Sequence, residues 1–213
     1  MSFYAVAVGR LPGIYSTWKE CEKQIIKFPG ALYKKFKTKK EAEEYVEKSA
    51  ALDREPDVRI YTDGSCIEEI AGWAYLVVHK GNIIRKLCGR SGETNNHGEL
   101  KAIQKGLMWL LNDDDVSSEE IDLKVVEIVT DSLYSLQMIV YSTDIPELNM
   151  ELIMSCRKIM KTLSKSMKIS FRHVNSHKSD DSDDTKFNNK VDRYANRGRH
   201  LEEGTEVSAS KPC

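Results

Sequence analysis

What this 213-residue chain lacks narrows it before any motif is read. No apolar run approaches the roughly 18 residues that cross a bilayer, which excludes a conventional membrane-spanning helix. The start, MSFYAVAVGR, has neither the charged segment nor the apolar block of a secretion signal, and no mitochondrial targeting pattern is seen, so an intracellular protein of cytoplasm or nucleus is expected. The five cysteines (Cys21, Cys66, Cys88, Cys156 and Cys213) are odd in number, widely spaced and free of any Cys-x-x-Cys pair. A disulfide framework and a zinc knuckle are both disfavoured, and reduced thiols are the default. No internal repeat is present, and the formal charge of −1 says nothing about partners.

The distribution of charge is more informative than its sum. Residues 1–48 carry ten Lys and Arg against six Asp and Glu, a net +4, which leaves −5 for residues 49–213. A basic head on an acidic body suggests that binding to an anion and chemistry on it are divided between segments. Hydrophobic content of 40% with 31% charge fits a globular chain with ample material for a core.

The hydrophobic pattern gives the order of elements. FYAVAVGRLPGIYSTW predicts two short strands around a turn, TWKECEKQIIKF a helix capped by Thr17 with Cys21, Ile25 and Phe28 on one face, ALYKKFKT a third strand and KKEAEEYVEKS a second helix. Residues 49–57, poor in large apolar side chains, read as a linker. Beyond it VRIYTDGS, GWAYLVVHK and NIIRKLCGR predict three successive strands, followed by a helix over NNHGELKAIQKGLMWLL, a strand LKVVEIVTDS, helices over SLYSLQMIVYS and PELNMELIMSCRKIMKTLSKS, a fifth strand MKISFRHV and a last helix from about Lys190. This order predicts an α/β fold, a five-stranded mixed sheet flanked by helices, preceded by a small α+β unit of three strands and two helices. The expected domains are 1–48, the linker 49–57, 58–203, and a frayed polar tail at 204–213.

Several residues in this layout can carry chemistry, each with an ordinary alternative. Asp63 and Asp131 each end an apolar run, and if their strands are neighbours the two carboxylates converge; Asp-Gly and Asp-Ser are also plain turn formers. Glu99 could be the far end of a capping box begun at Asn96. Its phase argues otherwise, since Glu99 precedes Ile103 by four residues and Leu107 by eight and so lies on the sheet-facing stripe, where a carboxylate needs a partner. Asp192 near a helix start is favoured there by the helix dipole in any case, and His177 after the fifth strand fits an exposed loop histidine.

Taken together these stretches resemble the ribonuclease H family over most of residues 58–203. TDGSC resembles its first Asp motif, TNNHGEL its Thr-Asn-Asn-x-x-Glu motif, VTDS its second Asp motif, VNSH its loop histidine and NNKVD its final Asn-x-x-x-Asp. Separately, FYAVAVGRLPGIYSTWKECEKQI with FPGALYKKF is similar to the hybrid-binding module that precedes the catalytic domain in type 1 cellular members. The resemblance implies an endonuclease that hydrolyses the RNA strand of RNA–DNA hybrids with two Mg²⁺ ions, or Mn²⁺ in their place, leaving 5′-phosphate and 3′-hydroxyl ends. It implies Asp63, Glu99, Asp131 and Asp192 as metal ligands and catalytic residues, and His177 as a group that moves protons or releases product. Asn95, Asn96, Gly64 and Ser65 would meet the substrate, the asparagines reading the 2′-hydroxyl that separates RNA from DNA.

In the N-terminal module Tyr4, Trp18, Tyr33, Lys34 and Lys35 are the expected hybrid-binding residues, the aromatics by stacking and the lysines at phosphate, with Phe36 assigned to the core. The implied partner is RNA–DNA hybrid, with double-stranded RNA a second candidate, and neither a membrane nor an obligate protein partner, which leaves a monomer. A catalytically weak or inactive protein that binds hybrid or double-stranded RNA is the alternative reading.

Three departures qualify the resemblance. The turn after TDGSC is IEEIAG, acidic where the family is rich in Gly and Asn. YSTDIPELNMELIMSC stands where many cellular members carry a basic, Trp-containing protrusion, which suggests that the N-terminal module supplies the grip through its short tether. HKSDDSDDTKF is a longer, more acidic loop than usual and reads as solvated.

Overall fold

The structure, a computed structural model, describes residues 2–8, 10–11, 13–26, 31–50, 55–111, 121, 123–175 and 180–208. The chain divides into two compact units, Met1–Glu55 and Pro56–Cys213. No helix among the described residues is long and apolar enough to cross a membrane.

In the smaller unit β1 (Phe3–Val8) lies between β2 (Gly13–Tyr15) and β3 (Leu32–Phe36), all antiparallel. Two helices, α1 (Trp18–Ile25) and α2 (Lys39–Ala50), complete it. Each is opened by a threonine. Thr17 and Glu20 form the capping box of α1, as the Thr17 signal predicts, and Thr38 with Glu41 repeats the arrangement before α2. Such a cap is worth about 1 kcal/mol. The buried residues are small, namely Ala5, Val6, Ala7, Cys21 and Ala42. Phe36, expected in the core, is half-buried and packs on Tyr45 with ring centroids 5.2 Å apart.

The larger unit is built on a mixed sheet of β4 (Val58–Ile67), β5 (Ile70–His79), β6 (Asn82–Arg90), β7 (Val125–Thr130), β8 (Lys168–His173) and β9 (Glu206–Ser208). Its order is β8-β7-β4-β5-β6-β9, with β4, β7 and β8 parallel and the rest antiparallel. β5 is buried on both faces along most of its length, which is why it reads as a continuous apolar run rather than an alternation.

Strand alternation sends Val58 and Ile60 to one face, where they pack with Leu100, Ile103 and Leu107 of α3 (Asn95–Leu111) and Ile153 of α5 (Met150–Leu163). Tyr61, Leu76 and Val78 go to the other, under Phe187, Val191 and Ala195 of α6 (Asp183–Gly198). Truncating a fully buried leucine such as Leu107 to alanine costs about 2–5 kcal/mol.

Four differences from the sequence reading have local causes. β4 does not stop at Asp63 but runs four residues further to Ile67 before turning through Glu68 and Glu69, both left-handed with φ of 50° and 61°. Two-residue hairpins want that conformation and normally use Asn-Gly for it, so the turn expected in IEEIAG is made by residues that do not favour it. Residues 206–208, placed in a polar tail, pair with β6 as a sixth strand, and Lys105 forms an ion pair with Glu206. The helix expected over SLYSLQMIVYS is a single turn, α4 (Leu133–Leu136), that widens into a π turn over Gln137–Tyr141. Arg157 from α5 donates to the carbonyls of Met138 and Ser142 in this stretch. The last helix begins at Asp183, capped by Ser182, earlier than Lys190.

Candidate active site

The site forms where β7 ends and β4 continues. The parallel register pairs Thr62 with Thr130, so Asp131, the first residue past β7, comes to rest beside Asp63. Asp63 is therefore a mid-strand residue exposed to a notch in the sheet rather than a turn residue, and it is 5% exposed. Glu99 enters the same notch from α3. A Cβ at Gly64 would collide with the backbone of Gly98 and Glu99, so the glycine after Asp63 is what lets the helix start approach the strand.

Glu99 is not part of a capping box. The Thr94 hydroxyl accepts from the His97 amide at 3.1 Å, which makes Thr94 the cap and puts Glu99 beyond the reach of the open helix end. It is 4% exposed, on the sheet-facing stripe as its phase predicts, and its Oε2 has no hydrogen-bond partner among the described residues.

Asp63, Glu99 and Asp131 each bring an oxygen within 4.8 Å of the others. Burial, and after it the charges of Asp131 and Asp192, hold the Asp63 carboxyl well above its usual range; burial followed by the charges of Asp63 and Asp131 does the same to Glu99. A buried acid cluster with an unpartnered oxygen is a poor arrangement by itself and a good one around a divalent cation, which prefers hard oxygen ligands. The donor set thus fits a Mg²⁺-like ion. Asp192 lines the same cleft from α6 but stands outside the close trio.

The cleft has a volume of about 400 Å³. Asn95 and Asn96 line it together with the four carboxylates and Gly64. Ser65, expected at the substrate, is instead turned to α6, its Oγ donating to Asn196 Oδ1 at 2.8 Å. His177 lies outside the described residues, as does most of the HKSD stretch of the acidic loop. Ser132, Leu133, Tyr134, Asn188 and Asn189 also line the cleft and were not singled out from sequence. Asn188 had a visible signal as the first residue of NNKVD, and its Nδ2 donates to Asp131 Oδ2 at 3.4 Å.

In the smaller unit Trp18 sits between Tyr4 and Tyr33, with ring centroids 5.8 Å apart on each side. Trp18 is 42% and Tyr33 47% exposed. The Lys35 ammonium lies 5.5 Å from the centre of the Tyr4 ring and that of Lys34 5.5 Å from the Phe36 ring. Tyr4, Trp18 and Tyr33 thus form one aromatic surface, with Lys35 at its edge.

Sheet order, flanking helices and an acid cluster at the end of the central parallel pair define a ribonuclease H-like fold with an acid-lined cleft. The RNase H family model matches residues 55–200, and the model described as the Ribonuclease H1 N-terminal domain matches residues 2–46. The chain belongs to the ribonuclease H family. Among solved structures, LC11-RNase H1 isolated from compost is similar at a TM-score of 0.53 and 21% identity, over 68% of this chain and 96% of that one. The PFV RNase H domain is similar at a TM-score of 0.53 and 17% identity, over 69% and 96%.

Curated relatives match over the N-terminal region. Ribonuclease H of Crithidia fasciculata is 58% identical over 45 residues, and Ribonuclease H1 of Homo sapiens 51% over 49 residues. These stretches are 21% and 23% of this chain but only 9% and 17% of the relatives' own lengths.

Proposed function

We propose that the chain is a divalent-metal-dependent endonuclease that hydrolyses the RNA strand of RNA–DNA hybrids. The observation that carries this reading is the close trio of buried Asp63, buried Glu99 and half-buried Asp131, with Asp192 on the same cleft, in a chain of the ribonuclease H family. The similarity of the fold to LC11-RNase H1, also solved in complex with RNA/DNA hybrid, supports the choice of substrate.

Asp63, Glu99, Asp131 and Asp192 would hold two Mg²⁺ ions, with Mn²⁺ able to replace them. Bound there, the pair would make a water acidic enough to give up a proton and become the nucleophile, and would supply a counter-charge for the leaving 3′ oxygen. Asn95 and Asn96 at the cleft wall offer amide donors and acceptors to a 2′-hydroxyl, a group that DNA lacks. Tyr4, Trp18 and Tyr33 offer ring faces to bases or sugars while Lys34 and Lys35 neutralise phosphates, a combination that holds nucleic acid with little sequence preference. His177 is assigned a supporting proton-transfer or product-release role. The products carry 5′-phosphate and 3′-hydroxyl ends, and the protein acts as a monomer.

Matched RNA–DNA, RNA–RNA and DNA–DNA duplexes incubated with and without Mg²⁺ test this reading. Cleavage of the hybrid alone, only with metal, is expected. Hybrid or double-stranded-RNA binding without cleavage would instead assign a binding protein with an inactive nuclease fold, and cutting of the DNA duplex would assign a different nuclease.

A further inference from the structure

We infer that Asn196 is a positioning residue that sets the orientation of the Asp192 carboxylate, itself held in place by Ser65 and Arg199. Asp184, Asn188, Asp192 and Asn196 recur at intervals of four and so form one stripe of α6. Each is tied to something. Asp184 accepts from the Arg172 guanidinium and, at 2.8 Å, from the Tyr61 hydroxyl; Asn188 donates to Asp131; Asp192 and Asn196 bond to each other.

Asn196 uses both ends of its amide. Its Nδ2 donates to Asp192 Oδ1 at 2.9 Å and to the Asp192 carbonyl at 3.0 Å. Its Oδ1 accepts from Ser65 Oγ at 2.8 Å and Arg199 Nη2 at 2.8 Å. The chemistry of the partners fixes which way the amide faces. A guanidinium has only donors and an ionised carboxylate only acceptors, so the oxygen must face Arg199 and the nitrogen Asp192. Reversing the amide would break the bonds at both ends.

This restraint matters because Asp192 lacks the one that holds its neighbours. Burial fixes Asp63 and Glu99, whereas Asp192 is only partly buried, on a helix face. The bond to Oδ1 confines that side chain before any ion arrives and leaves Oδ2 for the cleft. Ser65 lies two residues beyond Asp63 on β4, so the link Ser65–Asn196–Asp192 ties the ligand on α6 to the strand that carries the first ligand. Partners that orient a metal ligand without touching the metal are typically worth roughly 10- to 100-fold in metal affinity or activity.

The inference rests on the reading of the four carboxylates as a metal site, and its test separates the two. Mn²⁺ binding to the full chain is measured by calorimetry in the absence of nucleic acid for wild type, Asn196→Ala and Asn196→Gln, and the Mg²⁺ dependence of hybrid cleavage is measured alongside. Alanine is a better helix former than asparagine, so α6 survives the first change. Glutamine keeps an amide donor within reach of a carboxylate one turn earlier.

Asn196→Ala is expected to weaken Mn²⁺ binding about tenfold and to raise the half-saturating Mg²⁺ about as much, with the rate at saturating Mg²⁺ recovering to within about twofold of wild type. Asn196→Gln is expected to stay within about threefold of wild type on both scales. Wild-type affinity in Asn196→Ala, or an equal loss in Asn196→Gln, would overturn the inference and leave the metal site standing. Absence of Mn²⁺ binding in wild type would overturn both.

Discussion

In the smaller unit Trp18 and Tyr33 stand 42% and 47% exposed over a core of alanines, one valine and a cysteine, whereas in the larger unit Asp63 and Glu99 are 5% and 4% exposed beneath packed helices. The first unit keeps two of its interactive rings largely in water, whereas the second buries two of its four carboxylates and leaves Asp131 and Asp192 partly open. Rings and ammonium groups tolerate solvent, so a gripping surface can stand ready at little cost to folding. Clustered carboxylates cannot be buried so cheaply. Burial and like charge raise the proton affinities of Asp63 and Glu99, so the cluster works against the fold while its charges are uncompensated. Under the proposed function the chain separates a surface available at all times from a centre completed by metal, and the two should fail in different ways.

The largest effect belongs to the buried centre. Asp131→Asn should lower hybrid cleavage on the order of 10³-fold at saturating Mg²⁺, a barrier change of about 4 kcal/mol, while hybrid binding measured in chelator stays at the wild-type level. Loss of binding with cleavage would erase the division between the units.

Next comes the aromatic surface. The double change Trp18→Ala with Tyr33→Ala should weaken hybrid binding by at least about 30-fold, given about 1–3 kcal/mol for each of two stacked bases, and leave kcat within about twofold. Steady-state kinetics at moderate salt separates the two constants, and an unchanged KM would remove the smaller unit from substrate capture.

A smaller change is expected from the paired lysines. Lys34→Ala with Lys35→Ala should reduce the slope of log affinity against log salt by about 2, one phosphate contact for each lysine. An unaltered slope in a salt titration would leave these ammonium groups structural.

The smallest effect is on stability and runs opposite to activity. Because burial and like charge raise the folded-state pKa values of Asp63 and Glu99, their contribution to stability is fully present only below the usual carboxylate range and is lost as pH rises through the raised values. Asp63→Asn should therefore raise the Tm of the metal-free protein at neutral pH by roughly 2–8 °C, equivalent to about 1–2 kcal/mol in a unit of this size, while abolishing cleavage. Thermal unfolding in chelator and in Mg²⁺ reads this directly, and a lower Tm in chelator would mean that the trio is not strained.

How much of this was legible in the sequence depended on how local each feature is. TDGSC, TNNHGEL, VTDS and NNKVD sit at element boundaries and carry their signal within a few residues, so the acidic set could be assembled before any coordinates. The apolar run FYAVAV and the Thr17 cap marked the smaller unit equally well. Features made by distant partners left no trace. β9 exists only because β6 accepts it, and Lys105 meets Glu206 a hundred residues later in the chain. The π turn is held by Arg157 from another helix, and Ser65 is captured by Asn196 across 131 positions. Within the motifs, Asn96 looked like a cap because Asn, Thr and Glu stand close together, and only the hydroxyl geometry of Thr94 decides among them.

The central claim is that the carboxylate cleft cuts RNA when that RNA is paired with DNA. An RNA–DNA hybrid labelled on both strands, incubated with the full chain in Mg²⁺ and analysed for the ends produced, tests it most directly. Cleavage confined to the RNA strand, 5′-phosphate and 3′-hydroxyl ends, and no products in chelator are expected. Scission of the DNA strand, 2′,3′-cyclic phosphate ends or undiminished cutting without divalent metal would contradict it.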